Sequence, residues 1–243
     1  MNVKNNVGAD ASVRPLKQKG KTMVEISTSI LSVDKEKAVT TFYNLEVAGT
    51  DYFHIDVMDG KFVEKDTREF MLESATTLSH ITTLGLDVHL MVENVEEVID
   101  EYLMNTEPDI ITFHIEATKE RQRTLDVIKL IKENGVKVGI SVKPNTPISE
   151  IKEYLPYIHM VLIMTVEPGK GGQELIPETI KKVEELKQYL YENDLDLNIE
   201  VDGGINDTNV ARLKEAGADI IVAGTYIVSA ENPKEAINKL KCN

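Results

Sequence analysis

From Val24 onward, short apolar runs of strand length alternate with stretches whose apolar residues recur at helical spacing. The predicted strands cover residues 24–31, 52–58, 84–91, 109–114, 136–141, 159–165, 198–202 and 219–223. Between and after them the pattern predicts helices over 34–47, 69–79, 95–104, 119–134, 148–154, 177–191, 207–216 and 233–241. Asp34 is a candidate N-cap for the first helix. Gly135 and Gly217 follow two helices as stop signals. Residues 1–22 are polar, carry Gly8, Pro15 and Gly20, and show no period. They read as a flexible leader or an added extension, which makes Met23 a candidate start of the folded part. Residues 23–243 are expected to form one domain.

Eight strand–helix units in sequence imply parallel strands joined by right-handed crossovers. Eight such units imply closure into a (β/α)8 barrel, the TIM-barrel form of the α/β class. The alternative is an open doubly wound sheet. No GxGxxG follows the first strand, and no break in composition marks a second domain, so the barrel is preferred.

Composition narrows the class of partner. The net charge is −14, from 27 Lys and Arg against 41 Asp and Glu. Such a surface disfavours nucleic acid and anionic membranes, so neither is expected as a partner. No apolar run reaches the length of a membrane helix. The single cysteine, Cys242, permits no intrachain disulfide, which fits a reducing cytoplasm.

In a barrel of this kind the active site sits at the C-terminal ends of the strands. The second strand, within FHIDVMDGKF, brings His54 and Asp56 to one face, because residues two apart on a strand project together. An imidazole beside a carboxylate there is half of a metal site, an acid/base pair, or a buried histidine satisfied by its neighbour. The third strand ends in DVHLMV and supplies His89, and the seventh ends in EVDGG and supplies Asp202. Two imidazoles and two carboxylates from three strand ends suffice for one divalent ion. Nitrogen and oxygen donors without thiolate suit Zn²⁺, Fe²⁺, Mn²⁺ or Co²⁺, with Zn²⁺ the leading choice.

Glycine is the second signal. Gly169, Lys170, Gly171 and Gly172 follow the sixth strand, Gly203 and Gly204 the seventh, and Gly224 with Thr225 the eighth. Glycines there let backbone N–H groups approach an anion, although tight turns need glycine as well. Three adjacent loops with this bias favour a phosphate pocket, and hence a small phosphorylated substrate. Asp56 and Asp202, from nearly opposite sides of the barrel, suit proton removal on one face of a carbon and return on the other. His114 and Glu116 end the fourth strand and are either supports of the site or packing residues. Met58, Met91 and Met164 end three strands and are either core filler or the apolar floor of the site. Ser29 ends the first strand within reach of a bound substrate.

These residues match a known pattern. The segments SILSVD, HIDVMDGKFV, DVHLMVEN, MTVEPGKGGQ, EVDGGI and AGADIIVAGT occur in that order, and together they resemble the ribulose-phosphate 3-epimerases over about residues 24–240. The resemblance implies a TIM barrel that interconverts D-ribulose 5-phosphate and D-xylulose 5-phosphate with one divalent metal, a step of the pentose phosphate pathway. It implies His54, Asp56, His89 and Asp202 as ligands, and Asp56 and Asp202 as the proton-transfer pair. It places Ser29 near the substrate hydroxyls and the phosphate on Gly169–Gly172, Gly203, Gly204, Gly224 and Thr225. It also implies a homo-oligomer, a dimer or a hexamer. Two departures stand out. Residues 64–69, Glu-Lys-Asp-Thr-Arg-Glu, replace a Pro-Asn-hydrophobic-Thr loop, and Lys170 stands where the family usually has Phe. The altered loop keeps a D-allulose 6-phosphate 3-epimerase in view as an alternative. A barrel that binds a sugar phosphate without catalysis is a second alternative.

Overall fold

The computed structural model describes residues 23–242; the segment 1–22, expected to be a leader, lies outside them. Eight parallel strands close into a barrel in sequence order, β1 to β8. They are β1 (Glu25–Ser29), β2 (Tyr52–Met58), β3 (Gly85–Met91), β4 (Ile110–His114), β5 (Lys137–Val142), β6 (Met160–Met164), β7 (Asn198–Asp202) and β8 (Ile220–Ala223). β1 closes the ring by pairing with both β2 and β8.

The helices are α1 (Ala38–Ala48), α2 (Arg68–Ile81), α3 (Val95–Asn105), α4 (Ile115–Thr118), α5 (Arg121–Glu133), α6 (Glu178–Glu192), α7 (Val210–Ala216), α8 (Thr225–Val228) and α9 (Pro233–Cys242). Asp34 caps a 3-10 turn, Lys35–Lys37, that leads into α1; its Oδ1 accepts from Glu36 N–H at 3.1 Å. Gly217 adopts φ +110° to end α7.

Two expectations need correction. The helix expected over 148–154 is a pair of 3-10 turns, Ile148–Glu150 and Leu155–Tyr157. Pro156 has no N–H to give the Lys152 carbonyl and its ring crowds that carbonyl, so no continuous α ladder runs through the segment. The single-turn helices α4 and α8, directly after β4 and β8, were not foreseen. Four residues carry too little periodicity to stand out from a loop.

Strand alternation divides the interior. Outward residues such as Phe53, Ile55, Val88, Leu90, Ile111, Phe113, Ile140 and Val201 are buried under the helices and form the main core. The inward faces differ from end to end. Ile110, Met160 and Ile220 plug the N-terminal end with Tyr52 against them. Above that plug the inward residues turn polar, and several polar side chains, among them Ser27, His54, Asp87, Thr112 and Glu200, are fully or almost fully buried. Burying such groups is costly unless they are paired or ligating, so the polarity at this level marks the functional end.

Candidate active site

β2 and β3 pair in register with Asp56 opposite His89, and β6 pairs with β7 so that Met164 lies opposite Asp202. Closure of the barrel brings these strand ends together. One donor atom from each of His54, Asp56, His89 and Asp202 lies within 4.8 Å of all the others. His54 Nε2 is 3.3 Å from His89 Nδ1 and 3.5 Å from Asp56 Oδ1. His89 Nδ1 is 3.6 Å from Asp56 Oδ1 and 3.7 Å from Asp202 Oδ2. Donors at metal–ligand bond lengths around one tetrahedral ion stand roughly 3.3–3.5 Å apart, so this donor set fits a divalent metal. The two histidines are fully buried, whereas the Asp202 side chain is 16% exposed and faces the cleft.

Three of the four donors are held from behind. The Ser29 hydroxyl donates to Asp56 Oδ2 at 2.6 Å. His54 Nδ1 lies 2.6 Å from Asp87 Oδ2, which also accepts from the Ser27 hydroxyl at 2.7 Å. His89 Nε2 lies 2.9 Å from His114 Nε2. Asp87 and Ser27 were missed in the sequence, as was Glu200, which completes a second, deeper cluster with His54 and Asp87. A signal was available: Asp87-Val-His89 and Glu200-Val-Asp202 repeat the polar–apolar–polar spacing of His54-Ile-Asp56.

The two cleft carboxylates titrate apart. Burial and the nearby Asp56 charge push Asp202 up to about 7. Burial also opposes ionisation of Asp56, yet the His54 imidazole beside it, with His89, holds its pKa well below the usual carboxylate range. Burial works against charge on His54, but Asp87 and Asp56 raise its pKa well above the ordinary value. His89 is lowered, first by burial. Burial pushes His114 down to about 4. A pair of carboxylates with separated pKa values is what acid and base roles require.

One cleft over the strand ends collects nearly all of the expected substrate-side residues. It is lined by Ser29, Asp56, Met58, Met91, Met164, Gly169, Lys170, Gly171, Gly172, Asp202, Gly203, Gly204, Gly224 and Thr225. The three methionines are almost fully buried and give the cleft an apolar floor. Lys170 is exposed at the rim. His54 and His89 are fully buried and do not line the cleft. The glycine loops meet at one end, where the hydroxyls of Ser32 and Thr225 are 3.0 Å apart. Gly203 takes φ +124° there, and a Cβ on it would stand 2.4 Å from Val166 Cγ2.

The altered loop after β2 is tightly organised. Asp59 Oδ1 accepts from the N–H groups of Lys61 and Phe62, and its Oδ2 accepts from Glu93 N–H. Thr67 donates to Asp56 O at 2.6 Å and accepts from Met58 N–H. Residues 64–66 and 68 are exposed, while Phe62 covers His114 and Val63 stands where a Cβ on Gly169 would come within 3.1 Å of its own Cβ.

Comparison with known proteins agrees with the fold. Residues 25–228 match the ribulose-phosphate 3 epimerase family. The ribulose-phosphate 3-epimerase of Methanocaldococcus jannaschii is 40% identical over 219 residues, covering 90% of each chain. That of Bacillus subtilis is 38% identical over 220 residues, covering 90% of this chain and 99% of the relative. Among solved structures, KGPDC from Streptococcus mutans superposes with a TM-score of 0.69 at 13% identity, over 90% of this chain and 96% of that one, a likeness of fold alone. The chain belongs to the ribulose-phosphate 3-epimerase family. Among the described residues, no helix is long and apolar enough to cross a membrane.

Proposed function

We propose that this protein interconverts D-ribulose 5-phosphate and D-xylulose 5-phosphate by moving the C3 proton between two faces of the sugar. The observation that carries this reading is the meeting of Asp56 from β2 and Asp202 from β7 on one four-donor cluster in one cleft. Asp56 takes the C3 proton in one direction, Asp202 delivers a proton to the opposite face, and the roles exchange in reverse. His54, Asp56, His89 and Asp202 would hold one divalent ion, with Zn²⁺ the leading choice and Fe²⁺, Mn²⁺ or Co²⁺ the others. When bound, such an ion supplies Lewis-acid stabilisation of the charge that develops on the sugar oxygens.

The chain's own groups do the rest. Ser29 orients Asp56 and meets the substrate hydroxyls. Met58, Met91 and Met164 exclude water beneath the reacting carbon. The backbone at Gly169, Gly171, Gly172, Gly203, Gly204 and Gly224, with Lys170 and Thr225, receives the phosphate. The same reading places the protein in the cytoplasm as a dimer or hexamer, which sedimentation at micromolar concentration measures.

The test is turnover of ribulose 5-phosphate in D₂O, with and without chelator. Metal-dependent xylulose 5-phosphate carrying deuterium at C3 is the expected product. Preference for D-allulose 6-phosphate in kcat/KM would move the substrate to a hexulose. Binding without deuterium exchange on either sugar would make the barrel a non-catalytic sugar-phosphate binder.

A further inference from the structure

His89 Nδ1 faces the four-donor cluster, so what happens at its other nitrogen decides whether Nδ1 has a free lone pair. That other nitrogen, Nε2, is 2.9 Å from His114 Nε2. Between two neutral imidazoles at this distance one nitrogen donates and the other accepts. His114 Nδ1 is 3.1 Å from Glu116 Oε2. The opposite oxygen of Glu116 accepts from Lys143 N–H at 2.9 Å and from the Thr146 hydroxyl. The loop bearing those donors is itself anchored, because Lys182 Nζ from α6 donates to the carbonyls of Lys143, Pro144 and Thr146.

The direction of every bond in this chain follows from its first member. An ionised carboxylate only accepts, so His114 Nδ1 carries hydrogen. A neutral His114 then has a bare Nε2, which accepts. His89 Nε2 must therefore donate, and His89 Nδ1 is left with its lone pair directed at Asp56, Asp202 and His54. The rings of His89 and His114 meet edge to edge through these nitrogens, their planes 25° apart and centroids 5.0 Å apart, and Phe62 covers His114 at 4.9 Å. Lys143 Nζ lies over the Phe62 ring at 4.0 Å, so the loop after β2 closes the relay from above.

We propose that Glu116 is a positioning residue for the metal centre, acting through His114 to select the one tautomer of His89 that can ligate. The proposal rests on the reading of His54, Asp56, His89 and Asp202 as ligands. His54 is served separately by Asp87, so the two imidazole ligands have independent orienting groups. The two rings meet at 3.3 Å, so the internal control is the hydrogen that Asp87 holds on His54 Nδ1.

Glu116→Gln is the informative change. If the new carboxamide keeps its oxygen toward Lys143 N–H, its NH₂ faces His114 Nδ1 and reverses the relay. If it turns the other way, Lys143 N–H loses its acceptor. The protein labelled with ¹⁵N-histidine is measured without metal by long-range ¹H–¹⁵N correlation, which identifies the protonated nitrogen of each ring. Zn²⁺ affinity is measured separately by competition with a chromophoric chelator. In the wild type His89 is expected as the Nε2–H tautomer. In Glu116→Gln, His89 is expected to shift toward Nδ1–H while His54 keeps its hydrogen on Nδ1 against Asp87, and Zn²⁺ affinity is expected to fall about ten- to a hundredfold. Should that variant fail to fold, His114→Phe keeps a ring between Phe62 and His89 but removes the acceptor, and the same two changes are expected. A wild-type His89 tautomer together with unchanged Zn²⁺ affinity in the variant overturns the relay. So does loss of the hydrogen on His54 Nδ1, which Asp87 holds and the relay does not reach, since that marks a general loss of structure. A wild-type protein that takes up no Zn²⁺ overturns the ligand assignment itself, a result separate from any difference between wild type and variant.

Discussion

Ser29 Oγ donates to Asp56 Oδ2 at 2.6 Å, while Asp56 Oδ1 faces both His54 and His89. The two oxygens of one carboxylate therefore have separate neighbours: one serves the donor cluster, and the other is held by β1. Ser29→Ala removes the second contact without touching the first. A hydrogen bond to a charged group is worth about 1.5–3 kcal/mol, or roughly one to two decades of rate if the whole of it orients the base. Turnover of ribulose 5-phosphate is expected to fall by roughly tenfold or more, with bound metal retained at wild-type stoichiometry. Steady-state kinetics beside elemental analysis of the purified variant checks both halves.

The two carboxylates divide the chemistry by face, and this separates their variants. Asp202→Asn leaves Asp56 able to remove and restore a proton on its own side of C3, so exchange with solvent deuterium is expected to outlast epimerisation with one of the two sugars. Asp56→Asn is expected to show the mirror result with the other sugar. Net epimerisation should drop by roughly 10²–10⁴ in each. NMR of the C3 position in D₂O reads exchange and inversion in one experiment. Near-wild-type epimerisation by either variant would remove that residue from the proton-transfer pair.

A raised pKa at Asp202 carries a pH signature of definite sign. The metal needs the Asp202 carboxylate and a bare nitrogen on His54, and protons compete for both, so Zn²⁺ affinity is expected to fall at least tenfold for each pH unit below about 7 and to keep rising above it until His54 is neutral. Stability of the metal-free protein runs the other way. The folded group holds its proton up to about 7, whereas the unfolded one releases it near 3.8. This contribution is thus full below about pH 4 and is lost as pH rises through about 7. Asp202→Asn should flatten that part of both profiles, read by chelator competition and by urea unfolding of the metal-free protein.

Elements with a long apolar period were legible in the sequence almost to the residue: β7 was expected over 198–202 and occurs as Asn198–Asp202. The four clustered donors were legible too, because strand alternation and barrel closure together determine where His54, Asp56, His89 and Asp202 meet. What escaped was built by distant chain. Glu116 owes its anchoring to Lys143 and Thr146, 27 and 30 residues away, and no local pattern announces that contact. The helix α4 that carries Glu116 is one turn long. Asp87 and Glu200 were visible as inward residues, but their pairing with His54 depends on three strands meeting at one depth of the barrel.

The glycine loops can be tested by separating conformation from crowding. Gly172 and Gly204 adopt nearly the same backbone angle, φ +72° and φ +67°. A Cβ on Gly172 meets nothing within 4 Å, whereas one on Gly204 would stand 2.5 Å from Leu175 N and 2.6 Å from Gln173 O. Both alanine variants carry the cost of a left-handed residue, of order 1 kcal/mol. Only Gly204→Ala must also displace backbone, and the segment it displaces, residues 173–175, leads out of the loop that bears Gly169 and Gly172. Gly172→Ala is therefore expected to lower Tm by about 2–4 °C and Gly204→Ala by at least twice as much. If the loops receive the substrate phosphate, KM for ribulose 5-phosphate should rise about tenfold or more in Gly204→Ala, with a smaller rise in Gly172→Ala. Inorganic phosphate, used as a competitive inhibitor, should weaken in the same order. Equal KM values in the two variants would show that the phosphate does not depend on the backbone at Gly204.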